Sequence, residues 1–219
     1  MHVAIAGGHG QIALLLEREL AAAGHTSTAL IRNPDHAADV RDAGADPVVV
    51  DLEDTSATRL AEAIGNADAV VFAAGAGPGS GAERKATTDR DGALLLIAAA
   101  QLSGTMRYVM ISAMGTENAD PRSDDVFQVY LAAKAAADDA LRESELDWTI
   151  VRPGRLTNDP GTGAVTLGAS VERAEIPRAD VAAVVARSLE EPRTVGVTFE
   201  VVGGTTPIAD AIRTVGSGV

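Results

Sequence analysis

The chain is predicted to fold as an α/β domain: a doubly wound parallel sheet covered by helices on both faces. Three observations carry this expectation. Short apolar runs alternate with helix-like segments along most of the 219 residues, and such alternation implies parallel strands joined by right-handed crossovers. The strand candidates are continuously apolar rather than alternating, as expected of strands buried on both faces. Aromatic residues make up only 3% of the chain, so Ala, Val, Leu and Ile must build the core, which suits alanine-rich helices packed closely on a sheet.

Residues 3–6 read as a first strand, 7–10 as a glycine turn, and 11–23 as a helix stopped by Gly24. A second strand follows at 27–31, then a helix over 35–43 started by Asp35 and ended by Gly44. Residues 47–50 form a third strand, 56–64 a helix ended by Gly65, and 69–74 a fourth strand. A glycine-rich loop over 75–81 leads to a long helix at 88–102 and a fifth strand at 107–111. The helix over 126–143 precedes strand six at 148–151; a loop at 153–162, a helix at 179–189, a strand at 197–202 and a helix at 207–214 complete the chain.

A chain of this length holds one domain with a sizeable core. No internal repeat or linker divides residues 1–219, so they are read as a single domain. Residues 152–178, richer in Gly, Pro and Thr, break the alternation and are expected to form a small substrate-side cap at the sheet's carboxyl edge.

Composition excludes several classes. The net charge of −13, with acids and arginines interspersed, argues against nucleic acid or an anionic membrane as partner. With no cysteine, disulfides, zinc thiolates and thiol nucleophiles are excluded, and His2, His9, His25 and His36 lack metal-ligand spacing. No metal is expected. The apolar start has no basic n-region, so it reads as a strand rather than a signal peptide, and no stretch of 18 apolar residues is present. A cytoplasmic protein, monomeric or a small homo-oligomer, acting on a small molecule is the expectation.

The strongest local signal is Gly7-Gly8-His9-Gly10-Gln11-Ile12-Ala13, with a strand before it and a helix after it. Glycines there allow a tight turn and let backbone N–H groups approach a pyrophosphate at the helix N-terminus, the fingerprint of a dinucleotide site in a Rossmann fold. It parses as Gly8-x-Gly10-x-x-Ala13 or as Gly7-x-x-Gly10-x-x-Ala13. His9 is read as a solvent-facing loop residue. At the end of the second strand, where an acid would accept the ribose 2′-hydroxyl of NAD, the chain has Arg32. A guanidinium suits a 2′-phosphate, so NADP is favoured over NAD.

Tyr130 and Lys134, four residues apart on a predicted helix, share a face. A phenol is a poor base at neutral pH, and a nearby ammonium stabilises its phenolate. Lys85 and Lys134 are the only lysines among 18 basic residues, which makes Lys134 a poor candidate for a chance surface cation. Ser112, at the carboxyl end of strand five, lies where doubly wound sheets place their ligands and could hydrogen-bond a substrate carbonyl or the tyrosine.

These motifs together resemble an atypical short-chain dehydrogenase/reductase of the small, NAD(P)H-binding, epimerase-like kind, and the resemblance covers nearly the whole chain. It favours the Gly7/Gly10/Ala13 parse, with Gln11 and Ile12 opening the helix under the cofactor. It implies that Asp51 and Leu52 touch adenine, that Ala73, Ala74 and Gly75 lie along the adenine ribose, and that Pro153 and Gly154 lie beside the nicotinamide. It also matches residues 176–181 to a late family motif before a helix. Ser112, Tyr130 and Lys134 match the family's Ser, Tyr and Lys, with Tyr130 as general acid/base and Lys134 lowering its pKa while holding the nicotinamide ribose. The asparagine of the full tetrad has no clear counterpart in residues 88–92, and the carboxyl-terminal region is short beside that of sugar-nucleotide epimerases.

The expected function is an NADP-dependent oxidoreductase acting on a small carbonyl, quinone- or flavin-like substrate. The alternative is a non-catalytic NADP(H)-binding redox sensor. The intact Ser-Tyr-Lys set favours the enzyme and the missing asparagine the sensor.

Overall fold

In the computed structural model, which describes residues 1–75, 77, 81, 84–120 and 122–216, each predicted apolar run becomes a strand. The chain runs β1 (His2–Ala6), α1 (Gln11–Ala22), β2 (Thr26–Ile31), α2 (Ala37–Asp42), β3 (Asp46–Val49), α3 (Ala57–Ile64) and β4 (Ala69–Phe72). It continues through α4 (Gly92–Ser103), β5 (Arg107–Ile111), α5 (Val126–Arg142), β6 (Asp147–Pro153), β7 (Arg155–Thr157), β8 (Ala164–Gly168) and β9 (Glu175–Pro177). Helix α6 (Arg178–Glu190), β10 (Val197–Gly203), β11 (Thr206–Pro207) and α7 (Ile208–Thr214) follow.

The central strands send alternate side chains to two cores. Val3, Ile5, Val71 and Val109 face one way, against α1, α6 and α7; Ala4, Ala6, Phe72 and Met110 face the other, against α3, α4 and α5. All eight are fully buried. That double burial is why these strands read as unbroken apolar runs.

The sheet order is β3-β2-β1-β4-β5-β6-β10-β8-β11. Strands β3 through β10 in that order are parallel, and the order reverses between β1 and β4, the crevice where such sheets bind ligands. This is a single-domain Rossmann-like fold. The far edge extends the expected parallel sheet with antiparallel strands: β8 pairs antiparallel with β10, and β11 antiparallel with β8. Strand β8, AVTLG, is only partly buried and its apolar residues are interrupted, so it lacks the signature of the central strands. Within residues 152–178, β7 and β9 also pair as a separate two-stranded parallel ribbon.

Local departures have local causes. The fourth strand ends at Phe72, and Ala73 to Gly75 leave the sheet. The helix expected from Asp35 begins as a tight turn capped by Asn33, whose Oδ1 accepts the Asp35 N–H at 3.0 Å. The helix expected over 88–102 is preceded by a wider, π-type stretch over Lys85–Asp91 that runs into α4, a deviation frequent at functional sites. Of the predicted loop 75–81, residues 76 and 78–80 lie outside the described residues.

Glu17 on α1 is fully buried, and neither carboxylate oxygen has a hydrogen-bond partner. Burial pushes its carboxyl up to about 8, with Arg18 opposing weakly. The native state therefore keeps a proton that the unfolded chain releases near 4.5. Stability is full below that pH and falls as pH rises towards 8, by about 1.4 kcal/mol per unit of separation at most. Glu17→Gln is expected to flatten this decline in chemical denaturation between pH 5 and 9, and an unchanged slope would refute it.

Candidate active site

The sheet order fixes the order of the predicted residues in space. Along the carboxyl edge lie Asp51 and Leu52 after β3, Arg32 after β2, the glycine turn after β1, Ala73 to Gly75 after β4, Ser112 after β5, and Pro153 with Gly154 at the end of β6. The backbone ladder carries this row past the strands. Gly8 N donates to Leu30 O at 3.0 Å, Ala73 N to Ala6 O at 2.9 Å, and Ser112 N to Val151 O at 2.8 Å.

The turn demands its glycines. Gly7 has φ +80, and a Cβ there would lie 2.5 Å from the Ala74 backbone; a Cβ on Gly8 would lie 2.5 Å from Ala29 on β2. Both parses of the motif are therefore needed for backbone approach, Gly7 towards β4 and Gly8 towards β2. Gly10 lines the cleft and caps α1 without a side-chain partner, and no acid stands in the first turn. The first N–H groups of α1 are thus left for an anion.

A cleft of about 1060 Å³ opens above this turn. It gathers Gly10, Gln11, Ile12, Ala73, Ala74, Gly75, Ser112, Tyr130, Lys134, Pro153 and Gly154, so both the turn and the Ser-Tyr-Lys set share one space. Gly7 is not part of its lining. Arg32, Asp51 and Leu52 stand outside its lining, at the far end of the row. His9, expected to face solvent, is 30% exposed in the turn; it also lines the cleft, stacks on His36 at 3.6 Å and bonds Asp39 through Nε2 at 2.8 Å.

Over residues 7–192 the chain matches the family described as NAD(P)H-binding. It belongs to that family. An NAD(P)H-binding protein of this kind is a small Rossmann-fold relative of short-chain dehydrogenases/reductases and epimerases. A Bacillus subtilis (strain 168) protein named an uncharacterized sugar epimerase, YhfK, is 38% identical over 189 residues, 86% of this chain and 87% of that one. The Saccharomyces cerevisiae UPF0659 protein YMR090W is 36% identical over 223 residues, 97% and 98% of the two chains. A solved Bacillus halodurans structure, described as a candidate NAD-dependent epimerase/dehydratase, has a TM-score of 0.90 at 40% identity and covers 98% of this chain and 99% of its own.

The cleft holds more charge than its motifs reveal. Lys134 is buried; its Nζ lies 3.3 Å from Asp89 Oδ1, donates to Ile111 O at 3.2 Å and Ala74 O at 3.5 Å, and stands 5.1 Å from the Phe72 ring centre. The ammonium thus combines an ion pair with Asp89 and two hydrogen bonds to backbone carbonyls. Asp89, in the π-type stretch, is itself fully buried, and sequence reasoning gave it no role. One turn beyond Lys134 on α5, the buried Asp138 takes Arg152 Nε at 3.1 Å and Nη2 at 2.9 Å, and Arg152 Nη1 reaches Glu117 at 3.3 Å. Tyr130, Lys134 and Asp138 follow at intervals of four, a periodicity that could have flagged the aspartate. The Ser112 hydroxyl is buried beside Asp138 and has no partner in full hydrogen-bond geometry.

Lys134 acts on Tyr130 in the expected direction, within a network of other groups. Burial raises its pKa above the ordinary 10; Lys134 pulls it down, but Asp89 and Asp138 push it up. The phenol is protonated throughout the neutral range. Asp138 is likewise raised by burial, against the opposing pull of Ser112, Arg152 and Arg142.

At the far end, Arg32 is exposed and makes one long contact, Nη1 to Glu53 Oε2 at 3.4 Å. Glu53 also takes Arg84 Nη2 at 3.3 Å and the Thr87 hydroxyl at 2.5 Å. Asp51 Oδ1 accepts the Glu53 N–H at 3.0 Å, and Leu52 packs on the second core. Among the described residues no His, Asp and Glu group could hold a metal, and no helix is long and apolar enough to cross a membrane.

Proposed function

We propose that the protein is an NADP-dependent oxidoreductase of the atypical short-chain dehydrogenase/reductase type that reduces a small carbonyl, quinone- or flavin-like substrate. The convergence of Ser112, Tyr130 and Lys134 on the cleft of the glycine turn carries the reading. The cradle fits a dinucleotide: the glycines leave no room for side chains, and the uncapped start of α1 suits a pyrophosphate. Gly7, Gly10, Gln11 and Ile12 would hold the pyrophosphate, Asp51 and Leu52 the adenine, Ala73, Ala74 and Gly75 the adenine ribose, and Pro153, Gly154 and Lys134 the nicotinamide end. Bound there, the cofactor supplies the hydride.

The chain's own groups supply the rest. A partly buried Tyr130, its phenol held above the ordinary range, is a proton donor to a substrate oxygen gaining negative charge, which suits the reductive direction. The Ser112 hydroxyl, beside Asp138 and on the lining of the cleft, is placed to orient that oxygen. Lys134, paired with Asp89, adds a fixed positive end close to Tyr130 without adding net charge. Arg32 supports NADP: it can leave its long contact with Glu53 for a 2′-phosphate, and Glu53 keeps Arg84 and Thr87.

The same Asp89–Lys134 pair favours a second reading, a non-catalytic NADP(H) sensor, since it occupies the lysine. Titrating NADPH and NADH separately, then following NADPH consumption with menadione, 9,10-phenanthrenequinone and FMN, separates the two. The expected result is NADPH binding about tenfold tighter than NADH and consumption with at least one acceptor. Binding without consumption favours the sensor. Tighter NADH binding removes the argument from Arg32, and binding of neither removes both readings.

A further inference from the structure

The substrate end of the cleft runs against the charge of the whole molecule. The chain carries a net −13, yet Arg155, Arg173 and Arg178 line this end, with Glu175 as the carboxylate among them. All four come from residues 155–178, the stretch containing β7 and β9. The same lining holds apolar Met114, Phe127 and Leu156, with Phe127 53% exposed.

The guanidiniums are positioned rather than loose. Arg173 Nη2 donates to Met114 O at 3.1 Å and rests directly over Gly115, where a Cβ would collide with it. Gly115, at φ +91, is therefore the residue that admits Arg173 to the cleft wall. Arg178 Nη1 donates to Asn158 Oδ1 at 2.7 Å, and Arg155 is in contact with Glu175. A guanidinium has five N–H donors in a rigid fork, so one such contact orients it and leaves most donors for a ligand. A positive cluster sharing a lining with apolar groups, in a negatively charged molecule, draws and focuses an anion.

We propose that the substrate is amphipathic: an apolar, ring-sized body bearing an oxyanion, carboxylate or phosphate ester, with the body on Met114, Phe127 and Leu156 and the oxyanion on Arg173 and Arg178. This rests on the oxidoreductase reading only for the identity of the bound molecule as substrate. The site itself is a property of the cleft.

The test titrates 2-naphthoate, 2-naphthyl phosphate and neutral 2-naphthamide into the protein, with and without saturating NADPH, by calorimetry. At least one anion is expected to bind about tenfold or more tightly than the amide, and Arg173→Ala or Arg178→Ala to cut that preference by a similar factor. Which anion wins tells carboxylate from phosphate. Equal binding of all three, or a preference untouched by both substitutions, overturns the proposal. So does a loss of NADPH affinity larger than the loss of anion affinity, which would assign the arginines to the cofactor. Failure of NADPH to bind at all would defeat the oxidoreductase reading, while the cofactor-free titrations would still decide the anion site.

Discussion

Tyr130→Phe is expected to lower reductase turnover by about 10²- to 10⁴-fold, the usual worth of a positioned proton donor, with NADPH affinity unchanged. The substitution removes one oxygen and keeps the ring, which packs 6.1 Å from Phe127 between centroids. The sign of the pH dependence follows from the raised phenol. Wild-type reduction should hold level through neutral pH and fall only as pH passes above 10, where the donor loses its proton. The reverse reaction, which needs the phenolate, should rise over the same range. Stopped-flow pH profiles in both directions read this out. Undiminished turnover by the phenylalanine variant would remove Tyr130 from the chemistry.

Arg152→Met is expected to destabilise the fold by about 3–5 kcal/mol near neutral pH, because it strands a carboxylate that no water reaches. Asp138 is fully buried and Arg152 supplies two of its bonds. The Glu117 end of the arginine is half-exposed at 52% and contributes little. Without the guanidinium the already raised Asp138 carboxyl rises further, so the loss should shrink as pH falls and the folded carboxyl takes up its proton. Adding Asp138→Asn should recover much of the stability. Urea denaturation at pH 5 and pH 8 tests both statements; equal loss at the two pH values, with no recovery in the double variant, would count against the buried pair.

The fold was legible where burial leaves a one-dimensional trace. Runs such as Val70-Val71-Phe72 are apolar throughout because both faces are covered, and the glycine turn announces itself because its backbone must pass close to β2 and β4. The antiparallel edge was hidden, since β8 is only partly buried and β11 is two exposed residues. At the site, the residue types at Ser112, Tyr130 and Lys134 could be picked out by strand end and helical spacing. Their charge balance could not. Asp89 meets Lys134 across 45 positions of chain, and neither periodicity nor composition links them. A buried lysine demands an anion, but only the packing of the π-type stretch on α5 says which of the many carboxylates provides it.

The two borders of the main sheet bear on how copies of this protein meet. One border is β11, two residues long and ending in Pro207. The other is β3, where Val50 N donates to Ile31 O at 2.8 Å; by alternation Pro47 turns towards the unpaired side, where it has no N–H to offer. Neither border is a good template for an incoming strand. Extension of the main sheet into a continuous intersubunit sheet, and the fibrillar stacking that begins the same way, are both discouraged.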